Sequence, residues 1–212
     1  MRKLLTALRR KKQDFNSKNY WEQRYAAGGN SGDGSYGKLA VFKADFINDF
    51  VKRNAIGTAV EFGCGDGHQL SLIEYPSYLG LDVSASAIRH CAEKFRNDPS
   101  KSFFLYDGSA FFNRGFIRAD LALSLDVLYH IIEEQIFIKY ITDLFSSAGR
   151  YVIVYATNFD RVETIHVLHR RFTAYVEKYV RNFTLVEEIA NPYPGTGDQQ
   201  SEANFFVFKK DE

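Results

Sequence analysis

Val60-Glu61-Phe62-Gly63-Cys64-Gly65-Asp66-Gly67-His68 leaves a short apolar run and enters a glycine-rich turn. Small residues after a buried strand let the backbone pass close to a ligand, and free N–H groups at a helix start face whatever sits there. The spacing argues against two ligand classes. A dinucleotide fingerprint needs glycine at 63, 65 and 68, but position 68 is histidine, and a phosphate loop ending in Gly-Lys-Ser/Thr is absent.

Outward from this turn, short apolar runs alternate with helical stretches. Ala59 to Phe62 is predicted as a strand, Asp66 to Ile73 as a helix, Tyr78 to Leu81 as a second strand, and Ser84 to Phe95 as a helix with serine at its N-cap. Ser102 to Tyr106, Ala119 to Leu123 and Tyr151 to Tyr155 are further strands, with a helix from Glu133 to Phe145 between the last two. Upstream, Lys18 to Ala27 and Leu39 to Arg53 are predicted helices, separated by a stretch at 28–37 with five glycines, expected to be mobile. Residues 162–181 are expected to form one more helix, followed by a hairpin of Thr184 to Ile189 and Asn204 to Phe208. Strands alternating with helices specify a doubly wound α/β fold. The expectation is a mostly parallel sheet with helices on both faces, its last strand antiparallel at or beside an edge. The loop from Asn191 to Ala203 then sits at the carboxyl ends of the other strands, where open α/β sheets bind ligands.

Those strand ends carry polar features. Asp82, ending the second strand, is placed to accept both hydroxyls of a ribose. Asp107 and Gly108 follow the third strand, placed to meet the amino group of an adenine, and the fourth runs into Ser124-Leu125-Asp126-Val127-Leu128-Tyr129-His130. An acid before Gly-x-Gly-x-Gly, acids ending strands two and three, and a histidine just beyond strand four together resemble class I S-adenosylmethionine-dependent methyltransferases, over residues 60–155.

The resemblance implies a seven-stranded Rossmann-like sheet, S-adenosylmethionine as cofactor, and a set of roles. Glu61, Gly63, Cys64 and Gly65 would hold the methionine part, Asp82 with Val83 the ribose, and Asp107 with Gly108 the adenine. Leu125 would lie near the transferred methyl. Tyr20-Trp21-Glu22-Gln23-Arg24-Tyr25 resembles a leading helix that folds over the cofactor, bringing Trp21 and Arg24 to it. Cys64 is read as a packing residue of the turn rather than a nucleophile.

A hydroxyl acceptor would need its proton removed, and His130 is the first candidate base. His166 and His169 are the others, with Arg170 on the same expected helical face, a cationic cluster suited to an anionic acceptor. Asp126, Tyr129 and Arg170 are the expected acceptor contacts, although Asp126 would serve equally as a cap of the segment that follows. No metal is expected, because the histidines lack the carboxylate partners expected near a metal-dependent catechol-type site. The loops at 28–37 and 191–197 are candidates to close over the acceptor.

Composition narrows the acceptor. The chain has 212 residues and a net charge of +1, but its first twelve hold six basic side chains and no acidic ones, leaving 21 basic against 26 acidic residues beyond them. An acidic body weighs against nucleic acid as partner. The segment at 1–17 is expected to be a flexible basic leader of a kind that touches a membrane surface or a partner, ahead of one methyltransferase domain at 18–212, with cap helices to residue 55 and the core from 56. No run of eighteen apolar residues or secretory leader is present, and Cys64 and Cys91 form no disulfide framework, so the expected compartment is the cytoplasm. The favoured activity is methylation of a hydroxyl on a small-molecule or glycan acceptor. The alternatives are N-methylation of an amino sugar or protein side chain, and a non-catalytic cofactor-binding partner subunit.

Overall fold

The computed structural model describes residues 15–212, so most of the basic segment at 1–17 lies outside the described residues. Among the described residues two helices come first, α1 (Ser17–Ala26) and α2 (Gly37–Arg53). Asn16 caps α1 by accepting a hydrogen bond from the Asn19 N–H. α2 buries Leu39, Ala40, Lys43, Ala44, Ile47, Phe50 and Val51, a stripe at helical spacing with one cation in it.

The core then alternates strand and helix: β1 (Ala59–Phe62), β2 (Tyr78–Asp82), α3 (Ala85–Lys94), β3 (Lys101–Leu105), β4 (Ala119–Leu125), α4 (Glu134–Ser146) and β5 (Ala148–Ala156). Ser84 caps α3 through the Ala87 N–H, as its position before the helix suggested. A two-residue hairpin, β6 (Arg161–Val162) with β7 (Leu168–His169), precedes α5 (Phe172–Tyr179), β8 (Phe183–Ile189) and β9 (Asn204–Lys210). The seven-stranded sheet has the order β3-β2-β1-β4-β5-β9-β8. Its first five strands are parallel, and β9 runs antiparallel between β5 and β8. The sheet is thus the expected α/β arrangement, with the last strand beside an edge.

Alternation along each strand feeds a core on each face. Val60, Phe62, Ala122, Phe206 and Phe208 point to the side covered by α4 and α5. Ala59, Leu121, Leu123, Phe205 and Val207 point to the side covered by α2 and α3. The strand order reverses between β1 and β4, and the crevice beyond their carboxyl ends is where a ligand fits such a sheet. Asn204 pairs with Ala156, so the loop preceding β9 reaches this same edge, as expected.

Three local expectations are corrected. The helix expected at Asp66 to Ile73 shrinks to a 3-10 turn at Gln69–Leu72. Gly67 has φ +69°, and a Cβ there would meet Phe95 at 2.8 Å, so the chain turns tightly against α3 before any helix starts. The helix expected over 162–181 is a β-hairpin followed by the shorter α5. Val162, Leu168 and His169 pair as strands, which no helical spacing in this stretch reveals. Finally, the glycine-rich stretch at 28–37 is tied down: Asp66 accepts hydrogen bonds from the Ser31 N–H and the Tyr36 hydroxyl, both at 2.8 Å. No helix among the described residues is long and apolar enough to cross a membrane.

Candidate active site

The backbone after β1 opens the site. Gly63 and Gly65 have φ of +86° and +58°, a region disfavoured for side chains with a Cβ. A Cβ at Gly63 would lie 2.4 Å from Val127, and one at Gly65 2.3 Å from the Ser31 hydroxyl, so the turn fits only without side chains. The N–H groups of Gly63 and Cys64 both donate to the Leu81 carbonyl, locking the turn to β2. One oxygen of Asp82 accepts from the Gly65 N–H at 2.9 Å and the other from the Ser84 N–H at 2.8 Å. The turn and the carboxylate ending β2 are therefore one rigid unit. Burial pushes the Asp82 carboxyl up to about 6.

Glu61 lies beneath the turn, fully buried, and accepts a 2.6 Å hydrogen bond from the Tyr78 hydroxyl. Burial raises its carboxyl to about 7, against the opposing pulls of Tyr78 and the nearby Lys43 ammonium. Asp107, after β3, is half-exposed at the cavity edge. It accepts from the hydroxyl and N–H of Ser109 and is paired with Lys18 of α1 at 2.9 Å, which holds its carboxyl below the usual range.

Together these elements enclose a cavity of about 510 Å³. Trp21, Glu61, Gly63, Cys64, Gly65, Asp82, Val83, Asp107, Gly108, Leu125, Asp126 and His130 line it, so most residues singled out in the sequence meet in one place. Five do not reach it. Arg24 turns away, its guanidinium bonded to the Asn30 carbonyl and packed 5.5 Å from the Trp21 ring. Tyr129 points behind the wall, its hydroxyl donating to Asp126 at 2.7 Å.

The other three belong to the hairpin, where the expected helical face does not exist. His169 is buried between the Thr157 hydroxyl at 2.7 Å and the Glu163 carboxylate at 2.9 Å. Arg170 is buried too, donating to the carbonyls of Ile131 and Ile132 at 2.6 and 2.8 Å, with Glu134 beside it. His166 stacks on Tyr20, ring centroids 5.0 Å apart. The cationic cluster is therefore a brace for residues 130–132, and its charge is spent on carbonyls and carboxylates instead of facing an acceptor.

His130, by contrast, lines the cavity with Trp21 edge-on at 5.0 Å. Its Nδ1 lies 3.4 Å from the His166 carbonyl. Only a protonated Nδ1 is compatible with that oxygen, so in the neutral ring Nε2 is the proton acceptor. Burial lowers the imidazole to about 4, leaving it uncharged at neutral pH.

Sequence reasoning missed Lys43. Its side chain is 1% exposed, pairs with Asp126 at 2.5 Å, and lies over the Tyr155 ring. A signal was present: Lys43 falls four residues after Leu39 and four before Ile47, inside the apolar stripe of α2, where an unpaired cation would be costly. Asp126 itself has φ +60°, and a Cβ at Gly34 would come within 2.9 Å of its carboxylate, so the 28–37 stretch closes directly onto it. Ser31 and Ser35 also missed notice, yet both line the cavity from that stretch.

The cavity's chemistry fits S-adenosylmethionine. Its volume is in the range of small-ligand sites, its floor admits a ligand against bare backbone, and carboxylates stand at the ends of both β2 and β3. Residues 60–153 match the family model described as a methyltransferase domain. Over 109 residues the chain is 30% identical to the small RNA 2'-O-methyltransferase of Arabidopsis thaliana, a match covering 46% of this chain and 12% of that much longer protein. Among solved structures, the N-methyltransferase NodS from Bradyrhizobium japonicum WM9, in complex with S-adenosyl-L-homocysteine, superposes with a TM-score of 0.72 at 15% identity, covering 93% of this chain and all of that one. Magnesium protoporphyrin IX methyltransferase from Synechocystis PCC 6803 with bound S-adenosylmethionine gives 0.65 at 14% identity, covering 92% and 98%. The fold is Rossmann-like, and the matched segment covers its glycine turn and the acids ending β2 and β3. Residues 60–153 resemble a methyltransferase domain, and the chain has the fold of solved S-adenosylmethionine-dependent methyltransferases.

Proposed function

We propose that this methyltransferase acts on a hydroxyl group of a small-molecule or glycan acceptor, with His130 as the group that takes the proton. The observation that carries this reading is the position of His130: a cavity-lining imidazole whose Nδ1 faces the His166 carbonyl and whose Nε2 bonds to none of the described residues. An alcohol must lose its proton as its oxygen is alkylated, and a neutral imidazole at the cavity wall answers that need. S-adenosylmethionine, when bound, supplies a methyl group already activated on a sulfonium. The chain's own work is binding, orientation and exclusion of water.

In this reading Glu61 and the turn from Gly63 to Gly65 hold the methionine part. Asp82 with Val83 takes the ribose, Asp107 and Gly108 the adenine, and Leu125 lies beside the methyl. Trp21 closes the cavity from α1. Asp126, oriented by Lys43 and Tyr129, contacts the acceptor. Among hydroxyl acceptors, the similarity to a small RNA 2'-O-methyltransferase favours a second reading, a nucleic-acid ribose; the acidic excess beyond the first twelve residues speaks for the smaller acceptor.

The test follows S-adenosylhomocysteine release over a panel of sugars, phenols, amines and short RNAs, with wild type and His130→Gln. Turnover of a non-nucleic hydroxyl acceptor, lowered about a hundredfold or more by the substitution, supports the proposal. Turnover confined to amines and indifferent to the substitution refutes it, and turnover confined to RNA moves the second reading to the front.

A further inference from the structure

The loop between β3 and β4 presents two phenylalanines to solvent in a way the methyltransferase reaction does not use. Phe112 is 77% exposed and Phe116 95% exposed. Their neighbours behave oppositely: Phe111 and Ile117 pack inward against the core shared with α4. The base of the loop is pinned. Asn113 accepts from the Ile117 N–H and donates to the Ile117 carbonyl and the Ser147 hydroxyl, while Lys139 donates to the Phe111 carbonyl. Outward aromatics on a fixed base are held out of the core, where each would otherwise bury its apolar surface.

The tip is convex. Gly115 has φ +82°, and a Cβ there would meet nothing within 4 Å. Arg114 lies between the two phenylalanines and Arg118 follows them, both exposed, and residues 108–119 contain no acid. Exposed phenylalanines alternating with arginines match the boundary of an anionic bilayer, where rings enter the acyl edge and guanidinium groups meet phosphates. A protein partner would need a concave apolar pocket lined with acids. The loop also neighbours the cavity, because Lys139, one of its lining residues, lies 5.7 Å from the Phe112 ring.

We propose that residues 111–118 dock this enzyme on an anionic lipid surface. The arrangement holds the site close to the membrane plane.

The test is sedimentation of the full chain with vesicles of phosphatidylcholine alone or mixed equally with phosphatidylglycerol. Wild type is expected to bind the mixed vesicles and not the neutral ones. Arg114→Gln should weaken binding about fivefold, and Phe112→Ser with Phe116→Ser about tenfold or more. Calorimetric binding of S-adenosylhomocysteine by the double variant should match wild type, which shows that the fold is intact. Three results overturn the proposal: no binding to either vesicle; binding that survives the double substitution, which assigns it to the basic first twelve residues; or a dimer in solution, without vesicle binding, that the double substitution dissolves, which assigns the loop to a second copy of the chain.

Discussion

The glycine turn after β1 and the hairpin after β5 both carry residue types that suggest chemistry, yet they are built to opposite ends. In the turn, positive φ, missing side chains and backbone bonds to Asp82 and Leu81 clear a space and hold it open. In the hairpin, His169 and Arg170 are consumed by Thr157, Glu163, Ile131 and Ile132, and the space around them is filled. Polar side chains mark a site only where their bonding capacity is left over. The two regions meet at His130, which the hairpin braces and the cavity exposes.

The largest effect expected on this contrast comes from the turn. Gly65→Val forces a β-branched residue to φ +58° and drives its Cβ toward the Ser31 hydroxyl, so S-adenosylhomocysteine affinity should fall about a thousandfold by calorimetry. Unchanged affinity would mean that the ligand does not use this floor.

Next is the pH dependence set by Glu61. Its folded carboxyl stands at about 7 against 4.5 for the unexposed-to-burial value, so its contribution to stability is fully present below 4.5 and is lost as pH rises through 7. Glu61→Gln removes that loss. Urea denaturation should show the variant gaining on wild type by roughly 3 kcal/mol between pH 4.5 and about pH 8. Asp82, raised to about 6, acts in the same direction, and His130, lowered to about 4, acts in the opposite one; both remain in the two proteins and leave the difference to Glu61. A constant difference across that window would place the Glu61 carboxyl in contact with water.

The hairpin supplies the smallest effect and the sharpest contrast. Arg170→Met leaves the Ile131 and Ile132 carbonyls without their buried donors, which should cost about 2 kcal/mol of stability. Cofactor affinity should change less than about threefold, within one kcal/mol. A large loss of affinity with little loss of stability would return Arg170 to the site and break the distinction between the two regions.

The legible parts of the molecule share a physical cause. The strands, the Ser84 cap, the glycine turn and the acids ending β2 and β3 are local in sequence: period, capping chemistry and backbone geometry declare them within a few residues. The hairpin misled because His166, His169 and Arg170 sit at spacings compatible with a helical face, whereas Val162 pairs with Leu168 and Arg161 with His169 across a tight return. Lys43 stayed hidden because a cation in an apolar stripe has meaning only beside its partner, and Asp126 lies 83 residues away. The same distance problem hid Ser31 and Ser35, whose stretch is fastened to Asp66 from the far side of α2.

By itself the sequence determined that this is a doubly wound sheet with a glycine floor and flanking carboxylates, because periodicity and backbone permissiveness are written into neighbouring residues. Which polar side chains face the cavity and which are spent elsewhere follows from contacts between distant parts of the chain. That outcome depends on which donors and acceptors come together across long stretches of chain, and desolvation then makes each pairing exclusive: Arg170 is bound to its carbonyls, Lys43 to Asp126, and His130 keeps one nitrogen for the site.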